Sequence, residues 1–171
     1  PIFLEVNPDA TIVQCPTSYR TNKDGTVSGF LVDKLIPWIM ENKPVVGFRS
    51  KKSPMAGMDS IFGPVTDFCI LCNSAGNDGK NDYAALIRDE SWLGIGNAYF
   101  NATDRKWYPA ASSSESEYVD CCGYGYLFVK NRQVQPTKVN GTSFAAPFYA
   151  AQVSLVQNFF KQQIGRPLSL A

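Results

Sequence analysis

The sequence contains no histidine among its 171 residues, so it lacks the side chain that most often moves protons near neutral pH. Charge of one sign is also missing: sixteen Lys and Arg stand against fifteen Asp and Glu, a net charge of +1. That balance gives no electrostatic case for a nucleic-acid or anionic-membrane partner. No apolar run approaches the roughly 20 residues of a membrane span, and no basic segment leads into an apolar one as in a secretory signal. An even cysteine count is lacking too. The five are Cys15, Cys69, Cys72, Cys121 and Cys122, whereas a secreted disulfide framework normally pairs all its thiols.

Adjacent cysteines such as Cys121-Cys122 bridge to each other only with strain. Cys69-x-x-Cys72 together with that pair has the thiolate content of a zinc site. The run Phe68-Cys69-Ile70-Leu71-Cys72 is equally one in which free cysteine packs as a small apolar residue. Reduced thiols, and with them a cytoplasmic setting, suit the odd count better. The start at Pro1, without methionine, is read as a piece of something longer.

What is present is ordinary for a globular chain: 44% apolar and 18% charged residues, enough for a single domain over 1–171 with a sizeable core. Short apolar segments alternate with helical ones. Strands are expected at Ala10–Cys15, Pro44–Phe48, Asp67–Asn73, Trp92–Gly96 and Tyr126–Val129. Ser28 is placed to cap a helix carrying Leu31, Leu35, Trp38 and Ile39 on one face, kinked or shortened by Pro37. A weaker helical segment covers about Met55 to Phe62. The long terminal helix runs from near Thr142 to about Gln163, with Phe144, Phe148, Ala151, Leu155 and Phe159 on one face and Gly165 as its stop. Ser112 to Ser116 is of low complexity and reads as a loop. Such alternation predicts an α/β fold: three layers, a mainly parallel sheet flanked by helices.

Ligands of such sheets bind beyond the C-terminal strand ends. Two polar, glycine-bearing segments are candidates: Asn73-Ser74-Ala75-Gly76-Asn77-Asp78-Gly79, and Asn140-Gly141-Thr142-Ser143 opening the terminal helix. A serine at a helix N-terminus has an unpaired N–H beside it and a dipole that favours negative charge. Ser143 there can attack a carbonyl and help hold the resulting oxyanion. The same Thr-Ser pair can equally be a plain helix cap.

Gly141-Thr142-Ser143-Phe144-Ala145-Ala146-Pro147 resembles the signature around the nucleophilic serine of subtilisin-like proteases, Gly-Thr-Ser-Met-Ala-x-Pro, with Phe144 in the methionine position. Ala75-Gly76-Asn77-Asp78-Gly79 resembles the Ala-Gly-Asn-x-Gly segment of the same family, in the required order. Pro8 to Val13 resembles the strand after the family's histidine helix, and Asp120-Cys121-Cys122-Gly123 the Asp-x-x-Ala-Pro-Gly stretch. The resemblance implies a subtilisin-like domain of which this chain is the C-terminal part, acting as a serine endopeptidase through an acyl-enzyme. Ser143 would be the nucleophile and Asn77 an oxyanion donor, with Ser50, Lys51, Lys52, Ser74, Ala75 and Gly76 lining the cleft for a peptide or protein substrate. Lysines replace the glycines that usually follow Ser50. The family's chain order, Asp, His, Ser, places the two missing triad members before Pro1, on an N-terminal fragment that becomes a partner of this one. A Ser-Lys dyad using Lys138 has no spacing to support it. The alternative is an inactive subtilisin-like binding or structural module. No cofactor is expected, although structural calcium is common in the family and no ligands for it can be named.

Overall fold

The computed structural model describes residues 2–16, 18, 20–51, 57–79, 82–130 and 135–169. It opens with a short helix α1 (Ile2–Val6), followed by an extended stretch and a two-stranded ribbon of β1 (Arg20–Thr21) and β2 (Val27–Ser28). The expected strand at Ala10–Cys15 is not formed. Ile12 and Val13 stand about half exposed, and an alternating segment becomes a strand only where a ladder partner is available. Ser28 does not cap a helix either. Its hydroxyl is engaged by Arg20 and Asn22 inside the ribbon, and the Asp33 carboxylate takes the Gly29 N–H instead.

The next helix starts as a π-turn, Leu31–Leu35, and continues as α2 (Ile36–Asn42). Ile36 N–H donates to Leu31 O across the wider turn. Pro37 at the start of α2 explains this: it has no N–H to give and its ring would crowd the preceding carbonyls of a regular turn. Strand β3 (Val46–Arg49), helix α3 (Asp59–Phe62) with a 3₁₀ turn, and strand β4 (Ile70–Ser74) follow. Met55 and Ala56, expected to begin the helix, lie outside the described residues. The chain then adds β5 (Leu93–Asn101), β6 (Lys106–Pro109), β7 (Cys121–Tyr124), β8 (Tyr126–Lys130), β9 (Pro136–Asn140) and α4 (Thr142–Ile164).

Strands β3, β4, β5 and β7 pair in that spatial order and all in parallel. Strand β6 pairs antiparallel with the second half of β5, on the edge that β4 leaves. The expected strand at Tyr126–Val129 exists, but outside this sheet, as a separate antiparallel hairpin of β8 and β9. The sheet divides two cores, since neighbouring residues of a strand face opposite sides. Cys69 and Leu71 pack with Leu31, Ile39, Phe62 and Trp92 under α2 and α3; Cys72 and Ile95 pack with α4 and Phe3. The fold is therefore the three-layer α/β arrangement.

Helix α4 runs as expected and ends on Gly165 in a left-handed conformation (φ 75°). Its inner face, however, is not the aromatic one. Leu155 is 46% and Phe159 58% exposed, while Thr142, Ala145, Ala146, Ala150 and Ala151 are buried. The sheet comes too close for bulk: a Cβ on Gly123 of β7 would stand 2.5 Å from the Ala145 carbonyl oxygen. Small residues win this face because backbone meets backbone.

Cys69 and Cys72 lie in opposite cores, so they cannot share a zinc ion. Among the described residues, no three His, Cys, Asp or Glu side chains converge on a metal-sized site. All five cysteines are free thiols. Burial pushes the Cys69 thiol up to about 12, and burial, then the neighbouring thiols and Asp120, raise that of Cys72. The raised thiol is the inert neutral form until pH climbs through its pKa. At pH 8 a pKa of about 12 leaves roughly 10⁻⁴ of the thiol ionised. Iodoacetamide at pH 8 is therefore expected to modify exposed Cys122 and spare Cys69 and Cys72 until the protein is unfolded, as peptide mass mapping would read directly.

Candidate functional site

Two segments meet at the C-terminal end of the parallel strands. Strand β4 delivers Ser74, Ala75 and Gly76, all buried, and then turns outward at Asn77, which is exposed. The turn is possible because Gly76 takes φ 126°, a conformation closed to side chains with a Cβ. It is held in place by Ala75 N–H to Ile95 O, Ala84 N–H to Ala75 O and Ser114 N–H to Gly76 O. The serine-rich segment is thus a built loop. Ser114 Oγ also donates to Asp82 O, and Ser113 Oγ accepts from Asn97 N–H.

From the other side comes the start of α4. Gly141 precedes it at φ 140°, anchored by its N–H to Gly125 O. The Asn77 side-chain oxygen accepts from Thr142 N–H at 2.8 Å and from the Thr142 hydroxyl at 3.0 Å. The Thr142 hydroxyl oxygen in turn accepts from Gly76 N–H at 3.2 Å. A backbone N–H can only donate, so the atom facing Thr142 must be the amide oxygen; the Asn77 NH₂ group lies beside Gly141 with no hydrogen-bond partner among the described residues.

The first four N–H groups of a helix have no partner within it. Here Thr142 N–H goes to Asn77, and both Phe144 and Ala145 N–H reach the Gly141 carbonyl. Ser143 N–H is left without a partner among the described residues. Its half-buried side chain makes no hydrogen bond there either. A serine hydroxyl, one N–H and one amide NH₂ that are open among the described residues, at the positive end of a 23-residue helix, form a set suited to binding an anionic oxygen.

Ser50 and Lys51 are exposed and follow Arg49, whose register partner is Asn73. They therefore emerge at the same sheet edge as Ser74 to Asn77. Lys52 lies outside the described residues. Sequence reasoning missed three contributors. Thr142 links the two segments through both its N–H and its hydroxyl. Gly125 must lack a side chain, since a Cβ there would sit 2.5 Å from both Gly141 O and Asn97 Oδ1. Asn97, fully buried beneath this turn, has neither amide atom hydrogen-bonded among the described residues. A polar residue in the middle of the apolar β5 run was the signal available for it.

No family model matches this sequence, and no curated protein sequence does. Solved structures do match. The PatG macrocyclase in complex with peptide aligns with 86% of this chain at a TM-score of 0.65 and 18% identity. The prenylagaramide maturation protease PagA aligns with 85% at 0.62 and 14% identity, and a lanthipeptide protease with 99% at 0.66 and 14% identity. The fold is that of the subtilisin-like proteases. At these identities the likeness carries architecture. The chain spans 46%, 55% and 62% of the lengths of those three structures.

Proposed function

We propose that this chain supplies the nucleophile and the oxyanion-binding half of a subtilisin-like endopeptidase site. The observation that carries the reading is the clamp of Asn77 on Thr142, which leaves Ser143 N–H and the Asn77 NH₂ as open donors among the described residues. Ser143 Oγ attacks the carbonyl carbon of a peptide bond while its proton passes to a base. The carbonyl oxygen becomes an oxyanion between the two donors, and its collapse expels the amine, which takes the proton back. An ester on Ser143 remains for water to hydrolyse. The base is a group outside these 171 residues, since they include no histidine. One solved relative is a complex with a peptide, which supports a peptide as the substrate here.

An active-site fluorophosphonate tests this. With a base-bearing segment present it is expected to label Ser143, with labelling abolished by Ser143→Ala. In the isolated 171 residues labelling is expected to fall by several orders of magnitude, because the hydroxyl has no base. Labelling of full-length protein that survives Ser143→Ala would sink the assignment. A second reading, a non-catalytic subtilisin-like module, draws on the same absence of histidine and on Lys51 where a peptide backbone would approach. It predicts no labelling in either form.

A further inference from the structure

Away from the catalytic donors, rings gather on one face of the molecule. Tyr99 and Phe100 of β5, Tyr124 of β7, and Tyr126, Phe128 and Lys138 of the hairpin line a groove of about 400 Å³. The rings support one another in edge and tilted contacts: Tyr99 with Tyr126 at 5.7 Å, Tyr124 with Tyr126 at 6.5 Å, and Tyr124 with Phe148 of α4 at 6.2 Å. Yet the walls are not closed off. Phe128 is 74% and Phe100 45% exposed. Rings this exposed offer their faces and edges to a ring from a second chain.

Among the described side chains lining the groove, Lys138 is the one charge, and it gives the face a sign. Lys138 is exposed and has no ion pair or ring beneath it among the described residues. Asp104, the acid nearest in sequence to the exposed β6 rings, is engaged by the Tyr108 hydroxyl at 2.5 Å. Position ties the groove to the serine. Phe128 pairs with Lys138 and Tyr126 with Asn140, and Ser143 follows Lys138 by five residues, at most about 18 Å of chain.

We propose that this groove is a docking subsite for a peptide segment in which an aromatic residue neighbours a carboxylate, the ring packing among the tyrosines and the acid meeting Lys138. Ring edges and faces select another ring by offset or edge-on packing. An uncompensated ammonium at the rim selects an acid over its neutral isostere. That the occupant is a peptide rests on the proposed endopeptidase reading; the groove's preference for ring plus acid does not.

The test uses full-length protein carrying Ser143→Ala and a fluorescein-labelled octapeptide, Gly-Ser-Gly-Phe-Asp-Gly-Ser-Gly, followed by anisotropy. Saturable binding is expected. Exchanging the peptide's Asp for Asn is expected to weaken it about threefold, as for an exposed ion pair, and Phe for Ala about tenfold. Lys138→Met should erase the Asp-over-Asn preference while leaving the Phe-over-Ala preference, and Phe128→Ala should do the reverse. Both side chains are exposed, so neither change threatens the fold. Equal binding of the Asp and Asn peptides, a preference that survives Lys138→Met, or no saturation would each overturn the proposal. Because binding is read without turnover, a failure of fluorophosphonate labelling alongside intact binding would sink the catalytic reading alone.

Discussion

Under the proposed endopeptidase reading, Asn77→Ala is expected to lower the acylation rate at Ser143, with a base supplied, by about 10²–10³, the usual loss when one oxyanion donor is removed from such a site. The loss should fall on kcat, with KM nearly unchanged, because the donor is aimed at an oxygen that becomes fully anionic only in the transition state. Alanine also leaves Thr142 N–H and its hydroxyl without their 2.8 and 3.0 Å acceptor. Some stability, about 1 kcal/mol, should be lost along with the rate. Asn77→Asp separates the two effects. It keeps the oxygen that Thr142 needs and replaces the donor with negative charge, so activity should fall at least as far while the unfolding midpoint holds. Stopped-flow acylation with a p-nitrophenyl ester, paired with urea unfolding, reads both. An Asn77→Asp protein that keeps its rate would remove Asn77 from the oxyanion site.

Gly123→Ala is expected to cost substantial stability. Its new methyl would meet the Ala145 carbonyl oxygen at 2.5 Å and the carbonyl carbon at 3.1 Å, and neither can rotate away as a flexible side chain would. Helix α4 must shift off β7 or the strand must bend, a strain of about 3 kcal/mol at the upper end of overpacking effects. Urea unfolding should show that loss. Because the same helix carries Ser143 in its first turn, fluorophosphonate labelling should fall as well, even though residue 123 is not in the site. Gly63→Ala is the control: no atom lies within 4 Å of its Cβ and it has a right-handed helical backbone (φ −48°). It should be neutral or slightly stabilising, through the less flexible unfolded chain.

The two segments that meet at the strand ends were legible because their backbone signals are local. Ser143 and Asn77 each sit in a short stretch whose glycines and helix start dictate the backbone, and two such stretches in one chain point to one another. Buried parallel strands were legible for a similar reason, since β4 and the start of β5 are short apolar runs. The parts that were missed depend on distant partners. Lys106–Pro109 is exposed along its whole length and is a strand only because β5 offers an edge. Thr11 to Cys15 has the composition of a strand but no edge to join. On α4 the spacing of bulky residues was read as the core face, whereas close approach of β7 gave that face to alanine. The clamp by Thr142 could not be read at all, because it joins residues 65 positions apart.

The small-residue face of α4 also governs how such a domain can drift in sequence. Where helix backbone rests on strand backbone, the constraint is on side-chain volume, and it falls on a handful of positions: Ala145, Ala146, Ala150, Ala151 and the facing Gly123. On the opposite ridge, Leu155, Val156 and Phe159 stand largely in solvent, and their replacement leaves the helix axis where it is. An architecture fixed by a few volumes can be shared by chains with little else in common, because most residues are free to change so long as those few stay small.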